Sequence, residues 1–242
     1  MEGEAAMGAL TGLIEHMDWM SMLLFLMSGA ACLICLTVHE LAHGLAAYRL
    51  GDPTAKLNGR LTLNPLSHID WIGLFLLMAA GVGWAKPVPV DLRNFRRPRQ
   101  DMALTALAGP GSNFLLALAA LGTGSLVLRF WSGSRAGAYL LLFLCQLAVL
   151  SVGLGLFNLI PLSPLDGSKI LFALLPDRIY YTILRYEKYV MGVVILLVLV
   201  GVFDKPLSFL MVHVLQGFCT LTGMPLGGLL LFQDASAILN LF

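Results

Sequence analysis

Apolar residues in this chain neither alternate nor keep to one helical face; they fill long uninterrupted blocks. Positions 102–128, 136–165 and 206–233 contain no Asp, Glu, Lys or Arg, and 19–40 contains none before Glu40, which follows His39. Each block exceeds the roughly 20 residues that a helix needs to cross a hydrocarbon core. A shorter block at 189–203 spans if its flanking residues snorkel. The pattern predicts an all-α polytopic membrane protein with about five to six transmembrane helices. Residues 69–85 are apolar and glycine-rich but short for a span, with basic residues on both flanks. If they crossed, the two halves of the basic segment would lie on opposite sides. They are therefore predicted to form a short re-entrant, β-like element between the first and second spans, covered by protein, where irregular backbone is tolerated at membrane depth.

Composition agrees, since 12% of residues are charged and 58% hydrophobic, against about 25% charged in a soluble domain. No linker, repeat or low-complexity segment divides the chain, so residues 1–242 read as one integral membrane domain. The acidic N-terminus (Glu2, Glu4, Glu15, Asp18) has no Lys or Arg before Arg49, unlike a cleavable signal peptide, and the first span is expected to be retained. Basic residues cluster at Arg49, Lys56, Arg60, Lys86, Arg93, Arg96, Arg97 and Arg99, and again at Lys169, Arg178, Arg185 and Lys188, leaving Arg129, Arg135 and Lys205 for the other side. The positive-inside rule then puts the N-terminus outside and 49–101 in the cytoplasm, in a plasma or inner membrane. The arginines at 93–99 read as a topology determinant resting on anionic headgroups of the bilayer, with no nucleic acid as partner. Cys32, Cys35, Cys145 and Cys219 read as buried apolar thiols, because nothing near the Cys32/Cys35 pair supplies further ligands.

Chemistry enters at His39-Glu40-Leu41-Ala42-His43. In a helix the two histidines lie on one face, able to share a metal, with a carboxylate beside them to hold a water. Three ionisable groups within five residues of a span are costly unless paired or metal-bound. Helix rise places His39 and His43 about 9–15 Å inside the cytoplasmic end marked by Arg49. A catalytic zinc has three protein ligands as a rule, so a third must come from elsewhere. Asp166 is the best placed: it ends an uncharged block after Asn158, Pro161 and Pro164, and prolines at that spacing unwind the helix. The alternative for Asp166 is a solvated cap of a helix starting near Ser168.

The sequences HELAHG at 39–44, NPLSHID at 64–70, GWAKPVPVD at 83–91, AGPGSN at 108–113 and NLIPLSPLDG at 158–167 together resemble the site-2 protease family of intramembrane zinc metalloproteases. The likeness is to its compact members without PDZ or CBS modules. It covers about residues 20–175, the expected catalytic core, and leaves additional membrane helices at about 186–233. The resemblance implies one zinc ion per chain bound by His39, His43 and Asp166, with Glu40 as catalytic base. It further implies that Asn113 and Asn158 position substrate or stabilise the oxyanion; amides that join helices are the alternative for both. Trp71 stands where such proteins often have proline. His68 reads as a loop histidine bonded to backbone, Lys86 as an anchor or substrate clamp, and His213 as an interhelical hydrogen-bonding residue.

The reading is a zinc-dependent endopeptidase that cuts a transmembrane or membrane-proximal segment of a membrane protein, with its active site opening toward the cytoplasm. A transporter or metal-handling protein using the same residues as an ion pathway, and an inactive scaffold of the same fold, are the alternatives. Glu40 favours the enzyme, because a transport site has no need of a carboxylate between two ligands. If 69–85 pairs with an extended substrate, proline or charge at positions 74–78 will lower cleavage and spare metal content; undiminished cleavage would refute the pairing.

Overall fold

The computed structural model describes residues 19–71, 73, 85–130, 134–175, 190 and 192–226. The regular elements among these residues are all helices, with no strand. Helix α1 is Trp19–Arg49, α2 Thr54–Leu57, α3 Pro98–Arg129, α4 Arg135–Asn158 and α5 Asp166–Phe172; α6 is Gly192–Leu199 and α7 Asp204–Thr222. α1 from Met22, α3 and α4 are each long and apolar enough to cross a membrane. They form one bundle, α3 packing against both α4 and α1, with α5 docked on α3 and α7 on α4.

The core of this bundle is built from small and flexible side chains: Ala31 and Cys35 of α1, Ala117, Ala120 and Leu121 of α3, and Cys145, Ala148 and Val152 of α4. In lipid there is no gain from hiding apolar surface, so close backbone approach over small residues is what holds helices together. Cys35 adds a polar tie, its Sγ 3.0 Å from the Ser151 hydroxyl. All four cysteines are free, with Cys35, Cys145 and Cys219 buried, as the composition implied. Large residues such as Phe25, Leu115, Leu126, Leu196 and Phe209 are exposed on the outside, where lipid solvates them.

The count of five to six spans is not reached among the described residues: three helices qualify, or four if a bent pair is one span. The blocks at 189–203 and 206–233, expected to cross separately, give α6 and α7, which meet at 79° as one broken span or a re-entrant loop. The break is a helix-ending turn. Gly201 has φ +75°, its N–H bonds to Val198 O and that of Val202 to Leu197 O, the paired bonds of a Schellman motif, which needs a left-handed residue. Helix α7 in turn stops at Thr222, before Gly223.

The same turn shapes the segment after α1. Gly51, at φ +110°, bonds to Tyr48 O while Asp52 N–H bonds to Ala47 O, and the pattern recurs at Gly59 and Arg60 at the end of α2. The first turn delivers Asp52 to a fully buried position. There its carboxylate accepts the Thr54 N–H at 3.0 Å, the Asp91 N–H at 2.8 Å and the Asn94 side-chain amide at 2.7 Å. The second turn delivers Arg60, whose guanidinium donates to Lys86 O at 2.7 Å. Residues 86–91, which have no regular secondary structure, are thus held at both ends.

Of the predicted re-entrant element, positions 72 and 74–84 lie outside the described residues. Its two ends are joined: Ile69 and Ala85 form an antiparallel bridge, and Lys86 N–H donates to His68 O at 3.0 Å.

Burial pushes the Asp52 carboxyl up, but the hydrogen bonds from Thr54, Asn94 and Asp91 outweigh it and hold the group below its ordinary value. A depressed folded value means that the stability it contributes is present at neutral pH and is lost as pH falls through the carboxylate range. Asp52→Ala should cost about 1–3 kcal/mol by leaving buried donors unpaired. In thermal unfolding, wild type should lose more stability than Asp52→Asn on acidification from about pH 5 to 3.

Candidate metal centre

Helix α1 carries His39 and His43 one turn apart, and their rings stand edge to face with centroids 4.6 Å apart. That arrangement brings the two Nε2 atoms to 3.0 Å. Asp166, the first residue of α5, completes a triangle: its Oδ2 lies 3.1 Å from His39 Nε2 and 2.9 Å from His43 Nε2. All three residues are buried.

The outward-facing atoms of each group are also held. His43 Nδ1–H donates to Thr105 O at 2.7 Å, which leaves the Nε2 lone pair pointing into the triangle. Asp166 Oδ1 accepts from Lys169 Nζ at 3.2 Å, which leaves Oδ2 as the inward atom. Asn113 Nδ2 lies 3.2 Å from His39 Nδ1. Three electron-rich atoms about 3 Å apart repel one another unless a proton or a cation lies between them, and a single proton bridges only one edge. Zinc bonds of about 2.0–2.2 Å to nitrogen and oxygen imply a tetrahedral edge of roughly 3.3 Å. The observed edges of 2.9–3.1 Å are within a few tenths of an ångström of that figure, and three vertices leave a fourth for water or substrate. The donor set and its spacing therefore fit a zinc ion.

Two glycines make the convergence possible. Gly109, inside α3, faces the pair so closely that a methyl group there would collide with the His43 ring and with His39 Cε1. Gly167 lies against the main chain at the end of α4, where a methyl would collide with the Leu159 carbonyl; its absence lets α5 start where Asp166 reaches α1. Between α4 and α5 the chain leaves the helix, and the Ser163–Pro164 peptide bond is cis. Asp166 does not act as the cap of a helix from Ser168: it begins α5 itself, and its oxygens face the histidines and Lys169.

Glu40 points elsewhere on α1. It is buried and its Oε2 accepts the Val88 N–H at 2.8 Å, so the irregular segment clamped by Asp52 and Arg60 sets the carboxylate's position. Asn113 is fully buried against His39. Asn158 is half-buried at the end of α4, its Nδ2 donating to Leu154 O at 3.0 Å. His68 is buried with Nε2 2.9 Å from Thr62 O, as expected of a loop histidine, and is not in the cluster. His213 departs from expectation: it is exposed and its Nδ1–H donates to Phe209 O, one turn earlier on its own helix, at 2.8 Å, a local bond that satisfies the ring without a neighbouring helix. The sequence reading missed Asp52, Arg60, Lys169 and the Val88 N–H. Gly109 carried a signal, since a glycine beside a proline inside a helix marks a close approach.

The comparisons bear on what this arrangement does. The model for peptidase family M50 matches residues 125–201. A Bacillus subtilis protein named "Putative zinc metalloprotease YwhC" is 43% identical over 171 residues, 69% of this chain and 76% of that protein. The chain belongs to peptidase family M50. It is accordingly a metalloprotease, and zinc is the metal of the family. Proteins named "Putative zinc metalloprotease Rip2" from Mycolicibacterium smegmatis and Mycobacterium tuberculosis are 32–33% identical over 59% of this chain, a region that makes up 55% of their own length. No solved structure matches the chain.

Metal analysis of the purified protein tests the geometry. Gly109→Ala and Asp166→Ala should each lower zinc affinity by at least about 10–100-fold, measured by chelator competition, with circular dichroism confirming retained helix. Firm zinc in Asp166→Ala would remove this carboxylate from the ligand set.

Proposed function

We propose that this M50 protease is an intramembrane endopeptidase in which His39, His43 and Asp166 hold one zinc ion and Glu40 is the general base. The observation that carries the reading is the triangle of His39 Nε2, His43 Nε2 and Asp166 Oδ2 beside a separately anchored carboxylate. The substrate is a membrane protein with a transmembrane segment, cut within or beside the bilayer as in regulated intramembrane proteolysis. Residues 1–242 form the protease domain, with about 20–175 as its catalytic core. The basic segments put the N-terminus outside and the site near the cytoplasmic face of the cell membrane.

When bound, zinc supplies a Lewis acid that polarises the scissile carbonyl and lowers the pKa of water. The side chains do the rest. Glu40 keeps one oxygen on Val88 N–H and turns the other to the attacking water, taking its proton and later passing it to the leaving amine. Anchoring through a backbone N–H stabilises the carboxylate as an acceptor and fixes its rotamer. Asn158 has a second amide hydrogen beyond the one given to Leu154 O, and its half-buried place beside the turn to Asp166 suits it to donate to the developing oxyanion. A helical substrate has its amides satisfied internally, so it must unwind locally before its carbonyl reaches the site. Proline at 161 and 164 and the non-helical stretch before α5 give this region an irregular backbone beside which an unwound segment is accommodated.

Membrane proteolysis tests the proposal without a known substrate. N-terminal peptide profiling of membranes from cells carrying wild type or Glu40→Gln as sole copy should show new termini within or beside hydrophobic spans in wild type. Those termini should vanish in the variant, while zinc stoichiometry stays near that of wild type. Asn158→Ala should slow their appearance about 10²–10³-fold, also with zinc retained. Termini that persist undiminished in Glu40→Gln would remove Glu40 from the chemistry.

A further inference from the structure

His39 has two ring nitrogens to satisfy, and only one faces the triangle. Nε2 lies among His43 Nε2 and Asp166 Oδ2; Nδ1, on the other side of the ring, meets the carboxamide of Asn113. Asn113 lies on α3 one turn beyond Gly109, has no exposed surface, and its Oδ1 is buried with no hydrogen-bond partner among the described residues.

A neutral imidazole carries one N–H, on the nitrogen that does not coordinate. If Nε2 presents its lone pair to a metal, Nδ1 carries the hydrogen and has to donate it. An amide nitrogen does not accept, but the amide oxygen does. Half a turn about the Asn113 Cβ–Cγ bond exchanges the two atoms with almost no change of shape and brings the partnerless Oδ1 to the ring. His43 already follows this rule, its Nδ1–H lying on Thr105 O.

We propose that Asn113 is a positioning residue whose carboxamide oxygen accepts the His39 Nδ1–H, fixing the tautomer and ring plane in which Nε2 faces the metal. This rests on His39 being a ligand. It assigns Asn113 no contact with substrate, which matches its complete burial behind the ring. It also separates Asn113 from Asn158: an oxyanion donor needs its NH₂ toward the substrate, and a helix-packing amide serves in either orientation.

The test is zinc affinity of the purified full chain in detergent, by competition with a chromophoric chelator, for wild type, His39→Ala, Asn113→Leu and Asn113→Asp. Leucine keeps the volume without the acceptor; aspartate keeps the acceptor. Asn113→Leu should bind zinc about 10–100-fold more weakly, and Asn113→Asp within about threefold of wild type or more tightly, as carboxylate–histidine–zinc arrays do. Wild-type affinity in Asn113→Leu overturns the proposal in favour of a role toward substrate. Equal weakening in both variants overturns it in favour of simple packing. Should the leucine variant fail to fold, the aspartate variant decides alone, a loss beyond about tenfold being fatal. Failure of the underlying site reads out separately, as zinc held by His39→Ala as firmly as by wild type.

Discussion

Two imidazole nitrogens and a carboxylate oxygen brought within about 3 Å of one another, inside a bundle whose outer surface is made for lipid, form the constraint that the rest of the structure serves. Electron-rich atoms so close repel, and low dielectric magnifies the repulsion. A cation between them converts the cost into binding, which is why the cluster is intelligible as a metal centre and not as a polar core. The surrounding polar groups follow from the same constraint. Thr105 O, Lys169 and Asn113 each hold the far atom of one group, so that the near atoms have a single direction to face. Outer partners of this kind orient ligands and raise their basicity.

Convergence also requires backbones to come unusually close, and this is achieved by omission. Gly109 and Gly167 stand where any methyl group would strike, respectively, the histidine rings and the end of α4. The small residues of the α1, α3 and α4 contacts bring the helices together in a medium that offers no hydrophobic drive. Packing and site are therefore one problem here: α3 and α5 approach α1 closely enough only because side chains are missing at the contact.

A second layer lies beyond the C-terminal end of α1. Two successive glycine turns present Asp52 and Arg60, which grip residues 86–91 by main-chain groups, and that segment in turn holds Glu40 through Val88 N–H. The carboxylate proposed as general base is thereby placed by an irregular segment nearly fifty residues away in sequence. It is thus held by a main-chain contact that none of the three clustered side chains makes.

How much of this was legible beforehand follows from the range of each interaction. The apolar blocks dictate membrane helices because a hydrocarbon solvent admits few other backbones. The four-residue spacing of His39 and His43 dictates a shared face because the helix repeat is local. Asp166 was found from the loss of helix around Pro161 and Pro164, again a local effect. The number of crossings was not legible, since the apolar blocks at 189–203 and 206–233 each read as a span and the bend between α6 and α7 lies at the left-handed turn of Gly201. Nor was His213, which lies on an exposed face of α7 and bonds within its own helix. The sequence by itself thus determined the solvent, the long helices and the pairing of His39 with His43 on one face, all of which rest on composition and short-range periodicity. Only the tertiary structure decided which groups orient His39, His43 and Asp166, why Gly109 has no side chain, and how Asp52 and Arg60 hold the segment whose Val88 reaches Glu40, because these are contacts between distant segments that leave no periodic trace in the chain.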